Sequence, residues 1–179
     1  MIKYELIPEQ LIRENTCNDD NFFIPSIMED KNILTTHDKT YYKKLCELQL
    51  TDKEIRPIGF PMSKGLIDRE KLISQGTIEC VSHSLKNGVS MNIAGGTHHA
   101  FRDRAEAFCM LNDQANGTNY LLYNHLASKI LIIDLDVHQG NGTASIFNSD
   151  NRVFTISFHG KKNYPFHKEK SDLDIEFDD

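Results

Sequence analysis

The chain has 179 residues, 39% of them hydrophobic and 26% charged, with a formal net charge of −6. That suffices for one domain with a core but not for two, and scattered lysines without a basic cluster argue against nucleic acid or anionic membrane as partners. No apolar run reaches membrane-spanning length, the opening Met1-Ile2-Lys3-Tyr4-Glu5 is not a signal peptide, and Cys17, Cys46, Cys80 and Cys109 lack CxxC spacing, so reduced thiols in a cytoplasmic protein are expected.

In chain order, Pro8 fits the first turn of a short helix running to Arg13. Residues 22–25 read as extended, and residues 40–48 as a helix with Tyr41, Leu45 and Leu48 at helical spacing. Thr51 to Glu54 has the form of a capping box, and Pro57 and Gly59 stop that helix early. A longer helix is expected over residues 68–87, with Gly88 just past its end. Residues 89–94 suit a short strand, followed by a loop to Asp103. A helix over 111–127 comes next, despite the poor interior pair Asn116-Gly117. A strand at 130–133, a short helix at 143–147 and a strand at 152–158 complete the order. Strands alternating with helices predict an α/β fold, a mostly parallel sheet flanked by helices. Residues 172–179 read as an acidic tail.

The apolar, β-branched run from Ile130 to Ile133 suits a strand buried on both faces. Asp134, Asp136 and His138 follow within the same strand at two-residue spacing, which places them on one face. Two carboxylates at a buried strand end repel each other, and a cation between them removes that cost. Asp136 and His138 offer the oxygen and nitrogen donors that zinc takes. Gly140 and Gly142 allow a sharp turn with close backbone approach.

The loop Gly95-Gly96-Thr97-His98-His99 leaves the expected 89–94 strand and places two proton-transfer groups side by side. Asp134 or Asn141 can orient these rings. Both clusters then sit at carboxyl ends of neighbouring parallel strands, where such sheets bind ligands. A metal beside paired bases is equipment for metal-assisted hydrolysis. The plainer alternative is solvated acids and histidines in ordinary loops.

These segments, Gly95 to Ala100, Asp103-Arg104, Phe108 to Asp113 and Asp134 to Gly142, resemble the zinc-dependent histone deacetylase family. That family includes acetoin-utilisation proteins and acetylpolyamine amidohydrolases. The form Gln139-Gly140-Asn141-Gly142 and the stretch from Tyr164 to Asp174 are most similar to its bacterial class IV branch. The resemblance implies an arginase/deacetylase-like fold and hydrolysis of N-acyl amides, acyl-lysine foremost. It implies Zn2+ held by Asp136 and His138, with His98 and His99 catalytic, Asp134 buttressing the first and Asn141 partnering the second. It further implies a monovalent cation, K+, at Asp134, Asp136, His138, Ser157 and Phe158. Ala107, Phe108 and Tyr164 fall in the substrate tunnel.

Departures from the pattern accompany it. Alanines stand at 105 and 107 where the family has glycine, and the methyl of Ala107 is expected to narrow the tunnel. The third zinc ligand and the oxyanion tyrosine lie outside the chain, which is expected to be a single partial deacetylase domain, incomplete at both ends and weakly active or inactive alone. A complementing carboxyl-terminal segment is then an expected partner. The competing readings are an inactive remnant that binds a ligand or partner, and an unrelated metal-binding α/β domain.

Overall fold

The computed structural model describes residues 2–178. Helix α1 (Lys3–Arg13) starts before the expected Pro8 and carries that proline inside. The one ladder bond Pro8 cannot make is tolerated in a helix that buries no residue. Asp38 caps α3 (Lys39–Cys46), its carboxylate accepting from the amides of Thr40 and Tyr41. That helix stops before 48 because Leu48 turns left-handed, at φ 55°. The Thr51–Glu54 box forms and opens α4 (Asp52–Ile55), and the single turn α2 (Asp30–Ile33) precedes them both. Ser63 starts α5 (Lys64–Asn87) four residues earlier than the periodicity suggested, by accepting from Leu66 N. Tyr41, Leu45, Ile58, Ile67, Ile78 and Met110 form much of the core that α3, α5 and their connections share.

Residues 89–94 are not a strand. Val89 and Met91 are 80% and 78% exposed, with no sheet to cover them. The Asn92 amide reaches back to α5 instead, donating to Ile73 O and Thr77 Oγ1. Helix α6 (Asp113–Tyr123) is shorter than expected. Asn112 caps it through Ala115 N, and His125, at φ 56°, follows its end. Asn116 and Gly117 belong to its buried interior, because a Cβ at Gly117 would sit 3.0 Å from Thr77 on α5. Close packing overrides weak propensity there.

Strands β1 (Ile130–Asp134), β2 (Val153–Gly160) and β3 (Leu173–Phe177) form a parallel sheet in that order, with α7 (Asn141–Phe147) between the first two. The strand β3 lies in the stretch read as an acidic tail. Its Leu173, Ile175 and Phe177 alternate with acids, and two acids just before and within it hold donors from elsewhere in the chain. Asp172 accepts from Thr155 N and Oγ1, and Asp174 from Gln139 Nε2. The expectation of two-sided burial for β1 does not hold either. Ile132 and Asp134 face the helices, while Leu131 and Ile133 are 55% and 50% exposed.

His37 staples the segment that follows the paired histidines. A carbonyl can only accept, so Nδ1 donates to Phe101 O at 3.0 Å, and Nε2 accepts from Asn112 N at 3.0 Å. Burial pushes its pKa from 6.5 down to about 4. Between those values the unfolded chain binds the proton and the folded one does not, so stability falls as pH drops through this window. Urea unfolding at neutral pH and near pH ~4 should show a loss of about 3 kcal/mol from this ring. His37→Gln should remove that share of the pH dependence while the rest persists.

Candidate active site

The loop carrying His98 and His99 is folded onto the start of α6 by one buried carboxylate. Asp113 Oδ1 accepts from Gly96 N at 3.1 Å, Thr97 N at 2.7 Å and Thr97 Oγ1 at 2.6 Å. Its Oδ2 takes Thr77 Oγ1 at 2.6 Å. On the other side, Asn112 Nδ2 donates to Ala100 O and Thr143 Oγ1, and Thr143 N donates to His98 O. At Gly142 a Cβ would lie 2.3 Å from Ala100 O, so only glycine lets α7 approach this loop.

Asp134, Asp136 and His138 do not share a strand face as the alternation suggested, since β1 ends at Asp134. Two successive side-chain turns carry the backbone onward: Asp136 N donates to Asp134 Oδ1 at 3.0 Å, and His138 N to Asp136 Oδ1 at 2.8 Å. Of the three side chains, Asp136 and His138 pair with each other, while Asp134 turns to His98. His138 Nδ1 lies 2.9 Å from Asp136 Oδ1, with both side chains about half exposed.

The two histidine loops meet as expected. His98 Nδ1 donates to Asp134 Oδ2 at 2.5 Å, and His99 Nδ1 to Asn141 Oδ1 at 2.7 Å. The paired rings are 4.1 Å apart, and His99 is 6.1 Å from His138. Burial works against charge on His98, but the hydrogen bond and charge of Asp134, helped by Asp136 and Asp113, outweigh it and raise the pKa above 6.5. His99 goes the other way: burial first, then the neighbouring His98, depresses it to about 4. Burial also opposes charge on Asp136, yet the His138 amide and the charges of His98 and His138 lower its pKa. One ring is thus poised to hold a proton and its neighbour to lack one.

The edge-on ring of Tyr164 stands 5.1 Å from His99. Phe108 is exposed and packs on Phe60, with centroids 4.9 Å apart. Ala107 and Phe108 both have positive φ, 43° and 67°, with amides held by Pro57 O and Ile58 O. The methyl of Ala107 therefore bears first on backbone strain. Ser157 is buried opposite Asp134 in the β1–β2 register, its Oγ 3.0 Å from His159 Nδ1, while Phe158 stacks on Phe177. Two contributors were not singled out from the sequence: Asp113, and Glu106, which accepts from Asn141 Nδ2 and Tyr164 OH. Asp113 leaves a trace, an acid in the first turn of a helix; Glu106 leaves none.

Fold and site together define an α/β protein whose polar centre lies at the carboxyl end of a parallel strand. The chain belongs to the histone deacetylase domain family, whose model matches residues 1–176. An uncharacterized protein of Picosynechococcus is 39% identical over 175 residues, 98% of this chain and 58% of that protein. Histone deacetylase 2 of Arabidopsis thaliana is 30% identical over 142 residues, 75% of this chain and 36% of that one. The crystal structure of an HDAC homolog from Aquifex aeolicus superimposes with a TM-score of 0.77 at 27% identity, covering 92% of this chain and 49% of the other. The same coverage and score hold for an HDAC homolog complexed with SAHA. The chain thus spans about half the length of the Picosynechococcus and Aquifex proteins and about a third of the Arabidopsis one.

Asp113→Ala would strip three donors, the Gly96 and Thr97 amides and the Thr77 hydroxyl, of their shared acceptor inside the protein. It should cost at least about 3 kcal/mol in chemical denaturation, well beyond an ordinary surface substitution.

Proposed function

We propose that this chain carries the proton-transfer pair and two metal donors of a class IV histone deacetylase-like hydrolase acting on N-acyl amides, acyl-lysine foremost. The observation that supports this most is the bracketed histidine pair: a carboxylate on His98, an amide oxygen on His99, and the rings 4.1 Å apart. With each Nδ1 committed as a donor, each Nε2 becomes the ring's working atom. His99, neutral down to about 4, is suited to take the proton of an attacking water. His98, whose proton Asp134 stabilises, is suited to hold positive charge beside it and to serve the departing amine.

Asp136 Oδ1 and His138 Nδ1 fit a metal in kind and position: one oxygen and one nitrogen donor, 2.9 Å apart and open to solvent. Zinc, when bound there, supplies Lewis-acid polarisation of the amide carbonyl and of water. Among the described residues no group of three or more such side chains converges, so a third protein donor is expected from a complementing segment. K+ is proposed at Asp134, Asp136, His138, Ser157 and Phe158, where Asp134 and Ser157 are buried register partners. Ala107, Phe108 and Tyr164 would line the entry for an acyl chain, a reading supported by the SAHA complex of a family homologue.

The two-donor set favours a second reading, a module that binds ligand without turnover. Zinc content and hydrolysis of an acetyl-lysine peptide decide between them. The whole protein should turn over substrate, lose activity on chelation, and lose about 10²–10⁴-fold in kcat with His99→Ala. The 179-residue chain alone should be weak or silent. SAHA binding without any turnover by the whole protein would replace the first reading by the second.

A further inference from the structure

Glu106 sits in a turn closed by reciprocal backbone bonds, Glu106 N to Cys109 O and Cys109 N to Glu106 O. Its side chain points to the site rather than to water, with about a fifth of its surface exposed. One oxygen, Oε1, accepts from both Asn141 Nδ2, at 3.1 Å, and the Tyr164 hydroxyl. The other lies 3.8 Å from Nε of Arg104, whose guanidinium stacks on Phe101.

The Asn141 amide has two settings. In the one observed, Oδ1 receives His99 Nδ1–H at 2.7 Å and the Gly142 amide at 3.0 Å, and Nδ2 gives to Glu106. Reversed, the NH2 group would meet the Gly142 N–H, donor against donor, and the amide oxygen would face a carboxylate. The Gly142 bond closes only a small ring with its own neighbour. Glu106 comes from a separate loop and holds the far end of the amide, where leverage is greatest. An amide oxygen facing His99 admits only the Nδ1–H form of that ring, which leaves Nε2 as acceptor.

We propose that Glu106 is a positioning residue: through Asn141 it holds His99 in a single tautomer, and through Tyr164 it keeps a phenol ring edge-on to the same imidazole. This rests on His99 being the proton carrier proposed above, but its test needs neither metal nor substrate. Nitrogen-15 spectra of the histidine rings, recorded on the 179-residue chain at neutral pH, should show His99 almost wholly as Nδ1–H. Glu106→Leu should convert it to a mixture of tautomers and speed exchange of the Asn141 amide protons about tenfold. Glu106→Gln keeps an acceptor oxygen and should retain the parent tautomer.

A folded Glu106→Leu protein with the parent His99 spectrum would overturn the proposal. If that variant does not fold, the parent and Glu106→Gln decide. An Asn141 amide in the parent exchanging as fast as that of exposed Asn15, or a mixed tautomer in Glu106→Gln, sinks it. A fixed tautomer in a protein that never hydrolyses an amide would defeat the deacetylase reading and leave this one intact.

Discussion

A buried carboxylate needs a full complement of hydrogen-bond donors, and the loop that carries the paired histidines is arranged to satisfy that demand. Asp113 collects backbone and hydroxyl donors from Gly96, Thr97 and Thr77, and so draws the histidine loop onto the first turn of α6. The positive end of that helix suits the negative charge at its start. Gly95 is part of the same constraint, because a Cβ there would stand 2.7 Å from Asp113 Oδ2. Once this loop is fixed, His98 and His99 have only to be met by Asp134 and Asn141 from the β1–α7 connection. Gly140 lets that happen, since a side chain there would overlap the Asp134 carboxylate at 2.2 Å.

Electrostatics then separates two chemically identical rings. Both are buried and neutral by default, and burial disfavours charge on each. A carboxylate partner reverses the balance for one, while for the other the charge of His98 adds to burial and the Asn141 bond offsets only part of it. Adjacent residues acquire opposite proton affinities from the nature of a single hydrogen-bond partner. Asp136 and His138 lie outside this buried layer, in solvent-exposed turns.

Much of this was legible in the sequence where the signal is local or tied to a motif. The β-branched run at Ile130 gave β1, Thr51 and Glu54 gave their box, and Gly88 marked the end of α5. The pairing of His98 with Asp134 and His99 with Asn141 followed from the motifs and is met in the structure. What failed depends on distant partners. Residues 89–94 carry strand-like residues but have no strand beside them, and Asn92 bonds to a helix instead. The strand β3 was masked by acids just before and within it, whose donors, Thr155 and Gln139, are remote in sequence. Asp136 and His138 were placed with the right neighbours for the wrong reason, since side-chain turns rather than strand pleating bring them there. Glu106 was invisible because its importance lies wholly in Asn141 and Tyr164, 35 and 58 residues away.

The left-handed pair Ala107-Phe108 hangs from Pro57 and Ile58, and the Phe108 ring lies where a side chain on Gly59 would otherwise be. That aromatic is therefore mounted on the connection between α4 and α5, whereas His98 and His99 are held at the start of α6 and by the β1–α7 connection. Because Glu106 directly precedes Ala107, the carbonyls of Pro57 and Ile58 also steady the turn from which Glu106 reaches Asn141 and Tyr164, so a shift in that connection is felt on both sides of the pair.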